Sequence, residues 1–184
     1  LVLSSTYPRH AADSEPRFVH ELARRMRGDF EVAALVPAAP GLVARERIDG
    51  VDVHRFRYAP GRFECLAYEG GIVPKLRRNP WLRLLVPLFL AGQVLGTWRA
   101  IRRLAPDVIH AHWLIPQGVA ALLALALAGR RTPLVVTAHG ADLFTFARGP
   151  FRRLLAWVVR RAAAVTVVGR HMVPVVRALP GCAD

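Results

Sequence analysis

The chain has 184 residues, with 26 Lys and Arg against 13 Asp and Glu, and 53% of it is hydrophobic. This length and apolar content exclude intrinsic disorder and match one globular domain, since domains commonly run about 100–200 residues. A chain of this size buries about 70% of its unfolded surface, so its core needs neither disulfide nor metal. Cys65 and Cys182 show no CxxC or zinc-ligand spacing and read as free thiols in a reducing, cytoplasmic setting.

The formal charge of +13 invites a nucleic-acid reading, but 25 of the 26 basic residues are Arg and only Lys75 is Lys. In so Ala- and Leu-rich a chain this is composition bias rather than a phosphate-binding surface. No predicted strand face interleaves aromatic with basic residues, so no nucleic-acid partner is expected. Residues 1–82 carry 13 basic and 10 acidic groups, a net +3, whereas residues 83–184 carry 13 basic groups against Asp107, Asp142 and Asp184, a net +10. The second half is therefore expected to favour anionic surfaces or substrates. The apolar opening at Leu1 has no basic leader, so no secretory signal is read and a trimmed start is expected. Residues 82–98 are interrupted by Arg83, Pro87 and Gln93, and residues 118–128 number only 11, short of the roughly 20 a membrane span needs.

Leu1-Val2-Leu3-Ser4 predicts a strand, and 5–13 a polar loop. Phe18, Val19, Leu22, Ala23 and Met26 then recur at helical spacing. Asp13 or Ser14 could cap that helix, Pro16 suits its first turn and Gly28 its end. A second strand is expected at 31–36, and the Asp49-Gly50 pair predicts a hairpin turn leading into a third at 51–58. Gly, Pro and aromatic residues make 59–80 a long loop. A helix at 81–104 stops before Pro106, and strand 107–111 follows. Helix 115–128, strand 133–138, helix 150–162, strand 163–168 and helix 170–179 complete the alternation. Such alternation predicts an α/β fold, a doubly wound Rossmann-like parallel sheet of about six strands in a single domain over 1–184.

With strand order 3-2-1-4-5-6, the ligand crevice lies outside the carboxyl ends of strands one and four. His110, His112, His139 and Asp142 all fall at those strand ends, although the chain has only seven histidines. This clustering is the main functional signal. Three chemistries compete. His110-x-His112 with His139 and Asp142 could form a metal shell, and Ser4, Ser5 or Thr6 could be histidine-activated nucleophiles, though no GxSxG elbow is present. Recognition of a polar, multiply hydroxylated or phosphorylated ligand by neutral His, Asp and exposed helix N-termini fits best, so no metal is expected. Residues 1–27 contain no glycine, which removes a dinucleotide fingerprint, and no Walker A motif occurs. No cofactor is expected.

Asp107-Val108-Ile109-His110-Ala111-His112, then Pro116-Gln117-Gly118, then Thr137-Ala138-His139-Gly140-Ala141-Asp142, resemble the N-terminal domain of glycosyltransferase family 4, retaining enzymes of the GT-B fold. The resemblance extends to the opening strand, Phe18 to Leu22 of the first helix and the Asp49-Gly50-Val51 turn. It implies a hexosyltransferase that moves sugar from a nucleotide-sugar donor to a glycan or lipid-linked acceptor, as in polysaccharide biosynthesis. This domain would hold the acceptor, and a C-terminal donor domain, whose paired-glutamate pattern does not occur here, would complete the cleft; the chain alone would be inactive. His139 would be catalytic, bonding the donor sugar or stabilising developing positive charge through its backbone surroundings. Asp142 would fix the loop or touch a hydroxyl, His112 and Gln117 would line the acceptor side, and Gly140 would be a substrate-binding position. Where many members carry a glycine pair after strand one, this chain has Arg9, His10, Asp13 and Ser14, so Arg9 would supply charge to the diphosphate. Gly169-Arg170-His171 replaces a common Ser or Thr.

Other readings stay open. Residues 75–103 mix Lys75, Arg77, Arg78, Arg83, Arg99, Arg102 and Arg103 with Trp81, Leu85, Phe89 and Trp98, as suits either a peripheral contact with an anionic inner membrane face or a core helix with solvated arginines. A non-catalytic lipid- or ligand-binding module and a nucleotide-sugar epimerase half are the alternatives to a transferase. His20 and His54 are expected on the surface, and Trp157 in the core.

Overall fold

A computed structural model describes residues 1–10, 12–13 and 15–182. Seven strands, β1 (Val2–Leu3), β2 (Ala33–Pro37), β3 (Arg45–Ile48), β4 (Val51–Phe56), β5 (Ile109–His112), β6 (Leu134–Ala138) and β7 (Ala164–Val167), form one sheet in the order β3-β4-β2-β1-β5-β6-β7. All neighbours pair parallel except β3 with β4. The expected Rossmann order is present, and the extra strand is the first arm of the hairpin. Its turn places Asp49 at φ 47° and Gly50 at φ 82°, the double positive φ of a two-residue hairpin turn, and Ile48 pairs with Val51 across it.

The helices are α1 (Phe18–Met26), α2 (Ile72–Arg78), α3 (Leu85–Leu104), α4 (Val119–Ala128), α5 (Ala141–Phe146), α6 (Arg152–Arg161) and α7 (Val173–Arg177). Successive strand residues point to opposite faces, so Leu3, Leu35, Ile109, Ala111 and Val136 enter a core with Phe89 and Ile101 of α3 and Leu155 and Val158 of α6. Val2, Ala34, Val36 and Val53 instead meet Val19 and Ala23 of α1 in a second, smaller core. Helix α3 lies flush on β4, because a Cβ at Gly96 would come within 2.6 Å of Phe56 Cβ.

Several expectations need correction. The supposed loop 59–80 holds a short 3₁₀ turn at Gly61–Phe63 and helix α2. Helix 81–104 begins as a 3₁₀ segment, Pro80–Leu84, capped by Asn79 Oδ1 accepting Trp81 N–H at 3.2 Å. Helix 115–128 is a π-type turn, Leu114–Gly118, followed by α4, since the chain must bend around Pro116. Helix α5 is an additional element between strand 133–138 and helix 150–162. Asp13 bonds Arg9 rather than capping α1, and Ser14 lies outside the described residues. His20 is fully buried, not on the surface. It shares the inward face of α1 with Val19 and Ala23, and both ring nitrogens find partners, Tyr7 OH at 2.9 Å and Asp49 Oδ2 at 2.8 Å.

Among the described residues one helix, Pro80–Leu104, is long and apolar enough, by length and composition, to cross a membrane. Its inner face, Phe89, Gln93, Thr97, Ala100 and Ile101, is buried.

Candidate functional site

Alternation on β5 turns Ile109 and Ala111 into the α3-side core and His110 and His112 to the opposite face. There His110 Nε2 lies 2.7 Å from Thr137 Oγ1, which lies 2.7 Å from Thr166 Oγ1, a polar row across β5, β6 and β7. Nearer the carboxyl ends, His112 Nδ1 is 2.9 Å from His139 Nε2. Burial drives the His112 pKa down to about 2, and proximity to His110 and His139 adds to this. Burial, with His110 nearby, takes His139 down to about 4. Both rings are neutral at physiological pH.

Two side chains brace the loops around this pair. Asp142, 3% exposed, accepts Leu114 N–H at 2.6 Å through Oδ2 and His139 N–H at 3.2 Å through Oδ1, tying the loop after β6 to the loop after β5. Burial pushes its carboxyl above the usual range, opposed by the backbone N–H groups it accepts. Gln117, with its amide in the orientation that satisfies both ends, donates to the His112 carbonyl at 3.1 Å and accepts from Ser5 N and Oγ, each at 3.0 Å. The loop after β1 is thereby joined to the loop after β5. Gly140 has φ 93°, and a Cβ there would stand 3.0 Å from Met172 Cε, so glycine suits the turn that carries His139 into α5.

Two aromatic residues that the sequence reading does not place at the site complete the cluster. The Trp113 ring is 4.6 Å from His139 by centroid, and Phe18, at the start of α1 and 45% exposed, is 4.9 Å from His139 and 6.0 Å from Trp113. Trp113 has φ 78° and ψ 135°, a conformation costly for any side chain bearing a Cβ and characteristic of functional loops. Its N–H donates to Thr137 O at 2.8 Å and its carbonyl accepts Gly118 N–H at 3.1 Å, which hold the residue there. The available signal was its place directly after β5, at a crevice the topology already marked.

Of the residues expected to touch ligand, His139 is partly exposed, whereas His112, Gln117, Asp142 and Gly140 are buried. Of the four, His112 bonds the His139 ring, and Asp142 and Gln117 bond backbone of the surrounding loops. Arg9 is in the loop after β1, but its guanidinium forms two bonds with Asp13, at 2.9 and 3.0 Å, and lies 3.5 Å from Glu69. Arg9 in turn holds the Asp13 carboxyl well below the usual carboxylate range. None of its contacts reaches the histidines. Ser4 Oγ donates to Thr6 O at 2.6 Å and Ser5 Oγ to Gln117, so neither hydroxyl is placed on a histidine. Among the described residues no three His, Cys, Asp or Glu side chains are grouped to hold a metal. His171 stacks on Phe144, ring centroids 5.9 Å apart, beside the same loops.

Comparison with known proteins bears on this geometry. The family model Glycosyltransferase Family 4 matches residues 16–182. The chain is also similar to the N-acetyl-alpha-D-glucosaminyl L-malate synthase of Bacillus anthracis, with 29% identity over 68 residues. That match covers 36% of this chain and 18% of the other protein's length.

Proposed function

The chain belongs to glycosyltransferase family 4, and from that premise we propose that it is the acceptor-side half of a retaining, metal-independent enzyme that transfers a hexose from a nucleotide-sugar to a glycan or lipid-linked acceptor. The observation that carries the reading is His139: a neutral, partly exposed imidazole at the carboxyl end of β6, flanked by Trp113 and Phe18 and bonded by two buried side chains, His112 at the end of β5 and Asp142 in α5. Neutral imidazole and aromatic faces suit a sugar, which offers hydroxyls along its edge and C–H groups on its faces.

In this reading His139 hydrogen-bonds a hydroxyl of the transferred sugar. Asp142, Gln117 and His112 set its position, and Gly140 allows the turn that brings it to the cleft. A second, donor-binding domain closes over these loops, and the chain without it does not turn over. Arg9 reaches the donor diphosphate only by exchanging Asp13 for phosphate. Family membership favours transfer over the epimerase and binding-module alternatives.

The test is His139→Ala in the two-domain enzyme. Transfer should fall at least about 100-fold, the scale on which loss of one well-placed polar contact acts, with the melting temperature nearly unchanged. Turnover at the original rate would remove His139 from the site.

A separate observation favours an acceptor at a membrane. Trp81 and Leu84 are 80% and 71% exposed, next to exposed Leu88 and to Arg77, Arg78 and Arg83. Apolar tips ringed by arginine match the interface of an anionic bilayer. Lys75 does not share this face, because its Nζ donates inward to the Cys65 and Ala67 carbonyls at 2.8 and 3.1 Å. Sedimentation with phosphatidylglycerol vesicles, but not phosphatidylcholine vesicles, is expected, and Trp81→Ala with Leu84→Ala should abolish it. Equal recovery with both lipids, or none with either, overturns the membrane seat.

A further inference from the structure

The contact between His112 and His139 has a direction. A single proton occupies the 2.9 Å gap between His112 Nδ1 and His139 Nε2, because two neutral imidazoles share one N–H there and each keeps its second proton site elsewhere. Two arrangements are available. Either His112 donates from Nδ1, leaving its own Nε2 bare and placing the His139 proton on Nδ1, or His139 donates from Nε2 and the His112 proton moves to Nε2.

The surroundings of His112 separate these. Its Nε2 is buried and has no hydrogen-bond partner among the described residues. The second arrangement would strand a buried N–H donor at that atom, whereas the first leaves only a bare acceptor. Stranded buried donors are the rarer defect in folded proteins, and each carries a desolvation penalty. His139 has no such constraint, since it is partly exposed and its Nδ1 has no partner among the described residues.

We infer that His112 is a positioning residue that locks His139 in the tautomer protonated on Nδ1, so that His139 meets its ligand as a hydrogen-bond donor and not as a proton acceptor. The nitrogen left to reach the ligand already carries its proton. It therefore selects an oxygen lone pair, such as a sugar hydroxyl or ring oxygen, and is not a resting-state general base. Only the identity of that ligand rests on the glycosyl-transfer reading; the direction of the hydrogen bond does not.

The test is long-range proton–nitrogen correlation NMR on the chain with ¹⁵N-labelled histidine at pH 7, with His139 assigned by its disappearance in His139→Ala. The inference expects a protonated-type Nδ1 and a bare-type Nε2 at His139. His112→Asn, whose amide N–H stands where Nδ1–H stood, should keep that pattern. His112→Leu should lose it, giving averaged shifts at both nitrogens. In the two-domain enzyme His112→Leu should lower kcat/KM at least tenfold, and His112→Asn should recover most of the loss. A bare Nδ1 at His139 in the unmodified chain overturns the inference, as does an unaltered pattern in His112→Leu. If His112→Leu fails to fold, the unmodified spectrum alone decides. The spectrum is independent of the transfer assay, so failure of the tautomer and failure of the enzyme reading are separately visible.

Discussion

The carboxylate of Asp142 lies between backbone N–H groups of two different loops, 2.6 Å from Leu114 N and 3.2 Å from His139 N. Both of its oxygens are acceptors there. Asp142→Asn replaces one with an NH₂ that faces a donor, which leaves a buried backbone N–H unsatisfied. The expected destabilisation is about 1–3 kcal/mol, read from the urea midpoint with an unchanged slope. A midpoint equal to that of the unmodified chain would separate Asp142 from the joining of these loops.

The histidine pair predicts a pH dependence of stability. Both folded pKa values, about 2 for His112 and about 4 for His139, lie below the ordinary 6.5. The unfolded chain therefore binds the extra protons first, so their contribution is complete above pH 6.5 and is lost as pH falls toward 4 and then 2. Asp142, whose pKa is raised, runs the opposite way: its contribution is present at low pH and lost as pH rises through its folded value. The depressed carboxyls of Asp13, Asp49 and Asp52 act only below their ordinary value of 3.8. Denaturation at pH 7.0, 5.5 and 4.5 should show falling stability, with a shallower slope in His139→Gln. A slope identical in the variant would show that His139 does not titrate with unfolding.

Trp113 inverts the usual ranking of two substitutions. At φ 78° and ψ 135° any Cβ is strained, so Trp113→Gly should be more stable than Trp113→Ala by about 1 kcal/mol. Thermal denaturation of the pair measures it. The ordinary order, alanine above glycine, would contradict this backbone conformation.

How much of this was legible follows from what each signal depends on. The period-two and period-3.6 patterns carry the parallel sheet, its order is that of the doubly wound topology, and Asp49-Gly50 marks its hairpin because that pair accepts two positive φ angles. The cluster of His112, His139 and Asp142 was legible because topology alone brings the strand ends together. The work each residue does there was not. That Asp142 and Gln117 brace backbone from inside, and that Arg9 is engaged by Asp13, depends on loop conformation and on pairings distant in sequence. The burial of His20 depends likewise on distant pairings, since its partners lie 13 and 29 residues away. Trp113 and Phe18 look like ordinary core aromatics until the fold places them beside His139.

Asp49 offers a fourth test. It accepts Arg17 Nη2 at 2.7 Å as well as His20 Nε2 at 2.8 Å, from a left-handed turn position. Asp49→Asn keeps both an acceptor and tolerance of positive φ, and should cost under about 1 kcal/mol; Asp49→Ala strands the buried His20 nitrogen and should cost about 2 kcal/mol. Equal effects in chemical denaturation would remove the turn from the support of α1.

The two margins of the sheet are differently protected. On one side β3 presents Arg45, Glu46 and Arg47, charges that discourage a foreign strand from docking edge to edge. On the other, β7 pairs only with β6 among the described residues, and Ala163-Ala164-Val165-Thr166-Val167-Val168 has no charge, no proline and no glycine. Such a run is a template for strand recruitment. Self-association of the isolated chain should therefore begin at β7, and Ala164→Lys, at an exposed position of that strand, should slow it.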